Sequence, residues 1–164
     1  MPVSPSAQKL QRQVTSRFMM ALWMLVKLPS ALFCGVRLRV LEVGHCHTSV
    51  PYGWRSQNPF KSTYFAAQAM AAELSTGALV LFAVADADVP ISTLIVDMKA
   101  TFGKKAVDTV TFRCDGGDAV FAAVREAKAT GAASVVSVET IGTMKNGVEV
   151  ARFTFTWSVK AKKR

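Results

Sequence analysis

A chain of 164 residues, 51% of them hydrophobic, suits one domain with a real core, is short for two, and is not disordered. Its formal charge of +9 is uneven: Lys9, Arg12, Arg17 and Lys27 lie towards one end, and Lys160, Lys162, Lys163 and Arg164 close the other. No nucleic-acid-binding motif accompanies that charge, so the sequence predicts a basic rim, a solvated basic tail over 160–164 and attraction for a phosphate-bearing ligand, and no nucleic-acid partner.

Residues 6–27 read as a first helix, polar over SAQKLQRQ and heavily apolar from Phe18 to Val26. Met19, Met20, Trp23 and Met24 give it an adaptable surface that either covers the core or a subunit interface, or roofs an apolar ligand pocket. Lys27 and Pro29 interrupt the apolar run, leaving it far below the roughly 20 residues a membrane-spanning helix needs. No spanning segment is expected there; a docked or interfacial helix is. The mainly polar first 17 residues do not read as a cleavable signal peptide. Pro29 stops the helix, and SALFCG adds a short helical turn ending at Gly35. Residues 1–34 thus form an N-terminal helical extension.

VRLRVLEVG (36–44) alternates Val36, Leu38 and Val40 with Arg37 and Arg39, the pattern of a half-buried strand. A second short strand follows in HCHTSVPYGWRSQ, turning at Pro51 and Gly53. His45 and His47 would share a face, but two histidines without a third ligand make a poor zinc site, so no metal is expected. Cys34, Cys46 and Cys114 are widely spaced with no CxxC, which argues against a disulfide scaffold and points to a reducing compartment, the cytoplasm.

The stretch from Asn58 to Val84 is a polar entrance followed by a long helix that is apolar nearly all round, hence buried. Pro59 suits a position at or before its first turn, Ser62 or Thr63 fits the N-cap, and Gly77 is expected to weaken or end its regular part. Six alanines between Ala66 and Ala78 allow close approach of other backbone. Glu73 is the one ionisable residue inside. Eleven residues separate it from Ser62, about three turns, which would place both on nearly the same stripe.

After a DADVP loop, 91–105 alternates Leu94, Val96, Met98, Ala100 and Phe102 with Thr93, Asp97, Lys99 and Thr101. GKK is expected to turn this strand as a hairpin into AVDTVTFRC, with Val110 and Phe112 inward. Residues 115–131 read as a helix with Asp118 as N-cap, Glu126 and Lys128 exposed, and Gly131 closing it. A long hairpin turning at Asn146-Gly147 ends the chain, with Phe153, Phe155, Trp157 and Val159 on one face and Arg152, Thr154, Thr156 and Ser158 on the other. The result is one α+β domain over 1–164, with an antiparallel sheet curled round the apolar helix.

That order, and above all NPFKSTYFAAQAMAAELSTG at 58–77, resembles the hotdog fold, within it an uncharacterised bacterial family close to the PaaI-type and YiiD C-terminal acyl-CoA thioesterases. The resemblance covers about 8–160. It implies a central helix wrapped by a bent sheet, homodimers joined edge to edge or dimers of dimers, no cofactor, and active sites at the dimer interface near the central helix N-terminus. Carried over residue by residue, Asn58 matches the polar residue that orients the carbonyl or water, and Glu73 the acidic position that supplies the base or nucleophile. Ser62 and nearby N–H groups would stabilise the oxyanion, and Phe60, Lys61, Tyr64 and Phe65 would contact substrate. The PaaI-type His-Gly-Gly is absent, with Phe60-Lys61-Ser62 standing about where it would be. Two functions follow. One is hydrolysis of an acyl-CoA or related thioester; the other is acyl-CoA or fatty-acyl binding without chemistry. The lost glycines favour the binder, and the retained Asn58 and Glu73 favour the enzyme.

Overall fold

The computed structural model describes residues 3–162; Lys163 and Arg164 of the expected tail lie outside them. Three helices come first, α1 (Pro5–Thr15), α2 (Arg17–Lys27) and α3 (Pro29–Phe33), then strands β1 (Arg37–Leu41) and β2 (Cys46–Val50). The long helix α4 (Phe65–Ala87) follows, then β3 (Ile91–Phe102), β4 (Val110–Cys114), α5 (Gly117–Thr130), β5 (Ala133–Met144) and β6 (Glu149–Ala161). The six strands form one sheet in the order β1-β2-β4-β5-β6-β3, and every pairing is antiparallel. This is the α+β hotdog architecture, with α4 packed on β1, β2, β4, β5 and β6 and covered further by α1 and α5.

The expected first helix is two. Thr15 Oγ1 donates to the Gln11 carbonyl at 2.7 Å, and the Ser16 N–H to the Arg12 carbonyl at 3.3 Å. Ser16 is itself extended, with φ −73° and ψ 119°. Hydroxyl back-bonding of this kind competes with the helix ladder, and the break lets polar α1 and apolar α2 take separate axes.

Helix α4 departs from expectation at both ends. Tyr64, not Ser62 or Thr63, is the N-cap, and the helix runs through Gly77 to Ala87, closing at Asp88 in the left-handed region. At Gly77 a Cβ would stand 2.7 Å from Glu73 Oε1, the movable end of that side chain, and at ordinary contact distance, 3.5 Å, from the Trp157 ring. Alone among the described helices, α4 is long and apolar enough to cross a membrane, yet most of its surface is buried in the core.

The β3–β4 hairpin is corrected. β3 pairs with β6 and β4 with β2 and β5, so the GKK segment is a connection across the domain rather than a tight turn. β3 is consequently an edge strand. Its apolar row of Leu94, Val96, Met98 and Phe102 is exposed, while a register shift between Ile95 and Asp97 breaks the strand's regularity. At the other end, Lys160 and Ala161 belong to β6, so the basic tail begins later than 160.

The last hairpin forms as read: the Gly147 N–H donates to the Met144 carbonyl at 2.9 Å, and Phe153, Phe155, Trp157 and Val159 are buried. Val110 and Phe112 are buried too, and Phe112 meets Phe153 edge-on at 5.7 Å. Each buried Phe contributes about 1.5–3 kcal/mol by leaving water. Asp118 sits in the first turn of α5, whose N-cap is Gly116. At Gly117 the helix crosses the β1–β2 connection so closely that a Cβ would fall 1.9 Å from the Val43 carbonyl oxygen. Gly117→Ala is therefore expected to destabilise by about 2–3 kcal/mol or more, because backbone must move. Gly44→Ala, which meets nothing within 4 Å, serves as control in parallel urea melts; equal midpoints for the two variants would contradict this packing.

Candidate active site

The chain reaches α4 through a loop stapled to itself. Asn58 Oδ1 accepts from the Phe60 N–H at 3.0 Å and the Ser62 N–H at 3.2 Å, while Asn58 Nδ2 lies 3.1 Å from Ser62 Oγ. The Asn58 N–H donates to the Ser62 carbonyl, and Lys61 takes φ +57° at the apex. Asparagine suits such a turn because its side chain replaces a backbone partner. Thr63 anchors the loop's end, donating from N–H and hydroxyl to the Ala106 carbonyl, and the Tyr64 N–H donates to the Ser56 carbonyl.

The helix then begins without a side-chain cap. Its first internal bond runs from the Gln68 N–H to the Tyr64 carbonyl. The amides of Phe65, Ala66 and Ala67 therefore lie in the turn where an α-helix leaves its donors unpaired and its dipole is positive. A groove of about 520 Å³ opens at this end, walled by Phe60, Tyr64, Phe65 and Phe102 with Lys104 and Lys105 beside them. Asn58, Ser62 and Gln68 also line it; Lys61 is exposed and does not. Gln68 Nε2 donates to the Thr63 carbonyl, whereas its buried Oε1 has no partner among the described residues. Lys105 Nζ donates to the Phe60 carbonyl at 3.2 Å. Sequence reading missed Gln68, Lys104 and Lys105. The lysines come to the groove only because the GKK segment crosses the sheet.

Glu73 stands apart from this groove. It follows Phe65 by eight positions, about 12 Å along the axis, and the expected shared stripe with Ser62 fails because Ser62 precedes the helix. Glu73 is half-buried on the same side as Met70, Gly77 and the exposed Leu81, its carboxylate lying over Gly77. No hydrogen bond or ion pair holds that carboxylate among the described residues. Burial pushes its pKa above the ordinary carboxylate value.

Elsewhere, the His45 and His47 rings lie 5.1 Å apart, and no group of three or more His, Cys, Asp or Glu able to hold a metal occurs among the described residues.

A family model described as "Domain of unknown function (DUF4442)" matches residues 16–159. No curated protein sequence matches. Among solved structures, the chain is similar to PA5026 of Pseudomonas aeruginosa, a protein of unknown function described as a probable thioesterase. That likeness has 20% identity and a TM-score of 0.73, covering 99% of each chain. It is similar also to the thioesterase HI1161 of Haemophilus influenzae, at 13% identity and TM-score 0.61 over 85% of this chain and 88% of that one. A mutant form of the thioesterase PA1618 of Pseudomonas aeruginosa matches at 12% identity and TM-score 0.62, over 97% of this chain and 96% of that one. At such identities the likenesses establish the fold.

An unpartnered half-buried carboxylate carries a pH-dependent cost. With its folded pKa raised, Glu73 favours the fold most when protonated, and that contribution is lost as pH rises through the folded value. Glu73→Gln should accordingly melt higher than the wild type at pH 7, with the gap closing in acid below the ordinary carboxylate range. Thermal melts across pH measure this; a Gln variant that melts lower at pH 7 would reveal a partner for the carboxylate.

Proposed function

Since the chain belongs to the DUF4442 family and carries the hotdog fold, we propose that it is a hydrolase of acyl thioesters of the acyl-CoA class. The observation that carries this reading is the uncapped N-terminus of α4 opening into a groove of aromatic side chains and lysines. Aromatic walls suit an acyl–pantetheine unit, and Lys104 and Lys105 suit its phosphates. The thioesterases among the structural neighbours support the same class.

In the proposed reaction, water attacks the thioester carbonyl carbon and gives its proton to Glu73. The tetrahedral oxyanion is held by N–H groups of Phe65, Ala66 and Ala67 at the positive end of α4, with Ser62 beside them. The carbonyl reforms as the C–S bond breaks, and the thiolate leaves with the proton from Glu73. Asn58 shapes the entrance loop and positions the carbonyl or water. Burial of Glu73 brings its basicity nearer to neutral pH, where a general base works best.

Glu73 and the groove lie too far apart along α4 to act within one chain, so the site is proposed to form across two chains. In a homodimer, or a dimer of dimers, Glu73 of one chain would face the groove of the other. The exposed apolar row of edge strand β3 supports such pairing, because an unpaired edge of this kind invites a partner strand. Three free cysteines fit the cytoplasm as the working compartment.

A second reading, an acyl-CoA or fatty-acyl binder without chemistry, is favoured by Asn58 and Ser62 satisfying each other. Thiol release from acyl-CoAs of graded chain length separates the two. Glu73→Gln should lower turnover about 100-fold or more, while the variant stays folded and binds substrate; a folded Gln variant with full turnover would remove Glu73 as the base. Light scattering should give at least twice the 17.7 kDa chain mass, and a monomer that hydrolyses acyl-CoA would overturn the two-chain site.

A further inference from the structure

The N-terminal helices carry a charge pattern that the thioesterase reading leaves unused. Up to Leu41 the chain has Lys9, Arg12, Arg17, Lys27, Arg37 and Arg39 but no Asp or Glu; the first acidic residue is Glu42. Within this cationic stretch, α2 is apolar on more than one side. Met20 and Met24 are buried, whereas Phe18, Leu22, Leu25 and Val26 are 77%, 51%, 59% and 70% exposed. Their spacing of i, i+4, i+7 and i+8 makes them one face of the helix.

Each flank of that ridge is hollow. On one side, a cleft of about 320 Å³ between α2, α3 and β1 is ringed by Arg17, Arg37, Arg39 and Arg55 over Met20, Met24 and Leu32, with no carboxylate in its wall. Arg39 Nε donates to Ser49 Oγ, and none of the four is ion-paired among the described residues. On the other side, an apolar cavity of about 480 Å³ runs beneath Trp23 and Val26 to Leu74, Ala78 and Leu81 of α4. The two hollows share Val14, Met20 and Leu38 as walls. At about 100° per residue, Arg17, Ala21 and Met24 turn to the cleft, Phe18 and Leu25 crest the ridge, and Leu22, Trp23 and Val26 lean over the cavity.

Four guanidiniums around one small cleft repel each other until an anion enters. Planar forks of this kind match phosphate oxygens. An apolar ridge flanked by arginines adds a need for hydrocarbon beside that phosphate. Two copies meeting ridge to ridge about a two-fold axis would bring Arg17 and Lys27 of each towards like charges, which disfavours a second chain as the occupant. A bilayer supplies both chemistries at once.

We propose that this face docks on an anionic phospholipid surface, with the α2 ridge among the acyl chains and the arginine cleft holding a lipid phosphate. Amphipathic helices with cationic flanks bind in this way, through buried apolar area and attraction to anionic lipid. The site is separate from the α4 groove and does not depend on hydrolysis there.

Co-sedimentation of the full chain tests it, using vesicles of equal parts phosphatidylcholine and phosphatidylglycerol against phosphatidylcholine alone. Binding to the anionic vesicles should be at least about tenfold stronger and should weaken with salt. Phe18→Ser combined with Leu25→Ser, both solvent-facing, should lose most of it while melting like the wild type. Arg37→Gln with Arg55→Gln should erase the preference for phosphatidylglycerol. Equal binding to both vesicles, or full binding by the ridge variant, would overturn the proposal. So would release from the vesicles by micromolar coenzyme A, which would assign the cleft to a nucleotide phosphate. If the ridge variant instead drops to a smaller assembly in light scattering while vesicle binding is absent in the wild type, the face belongs to a second copy. Turnover of a short acyl-CoA without vesicles is read separately, so failure here leaves the thioesterase reading standing.

Discussion

Burial of α4 is the constraint on which the rest of the molecule depends. A 23-residue helix that is apolar on nearly every side cannot lie on one face of a flat sheet, since half of its surface would remain in water. The sheet must curl, and α1 and α5 must close what it leaves open. The strand order follows from the same demand. The chain passes along α4 before adding β3 at the far edge, then returns across the domain to place β4 beside β2. That return carries Lys104 and Lys105 past the helix N-terminus and leaves β3 with a free edge. A groove with cations and an edge open to a partner are thus two results of one packing problem.

The same helix holds two electrostatic features that oppose good stability practice. Its N-terminus lacks a side-chain cap, although capping residues are worth about 1 kcal/mol. Its interior holds a carboxylate that has no hydrogen bond or ion pair among the described residues. Nearby alternatives existed: Ser62 and Thr63 stand within three positions of the helix but spend their hydroxyls on Asn58 and Ala106. A helix that forgoes its cap keeps donors for something else, and a half-buried acid keeps basicity for something else. Sites where local rules are broken in this way are where ligands and chemistry are expected.

Which parts were legible in the sequence follows from the range of the interactions involved. The Asn146-Gly147 turn and the buried row from Phe153 to Val159 were readable because both are decided within a few residues. The fold was readable because the stretch from Asn58 to Gly77 is distinctive. The β3–β4 hairpin misled because GKK looks like a turn locally, whereas pairing of β3 with β6 is decided by what remains exposed once α4 is covered. The apolar row of Leu94, Val96, Met98 and Phe102 shows a related limit: its alternation identifies two faces without saying which is wet, and in the fold the apolar one is exposed. The single first helix and the Ser62 cap failed on competition, since Thr15 Oγ1 donates back to the Gln11 carbonyl and Ser62 Oγ to Asn58, pairings that no periodicity reveals. Of the groove at the start of α4, the lining residues Asn58, Ser62, Phe60, Tyr64 and Phe65 could be read together because they lie together in the chain. Gln68, Lys104 and Lys105 were missed because a buried unpaired oxygen and a long-range crossing leave no local signal.

Segregation of charge along the chain gives the N-terminal helices a physical character unlike that of the wrapped domain. Among the residues after Leu41, Arg113 meets Asp115, Lys145 meets Asp108, and Arg152 meets Glu139 and Glu149. Before it there is no acid to meet. Cations left without local anions are a standing repulsion, felt most where Arg17, Arg37 and Arg39 crowd together, and burial with that repulsion lowers the pKa of Arg39. A core-covering helix could ease the repulsion with a single Glu at an exposed position such as Leu22 or Leu25, at little change in helix propensity and with less hydrocarbon exposed to water. Those positions are leucine instead. An exposed hydrocarbon ridge and an arginine cleft with no ion pair among the described residues each raise the energy of the isolated chain, and they do so side by side. Placed against a surface that is apolar within and anionic at its rim, both costs fall together, which is why the two features are better understood as one.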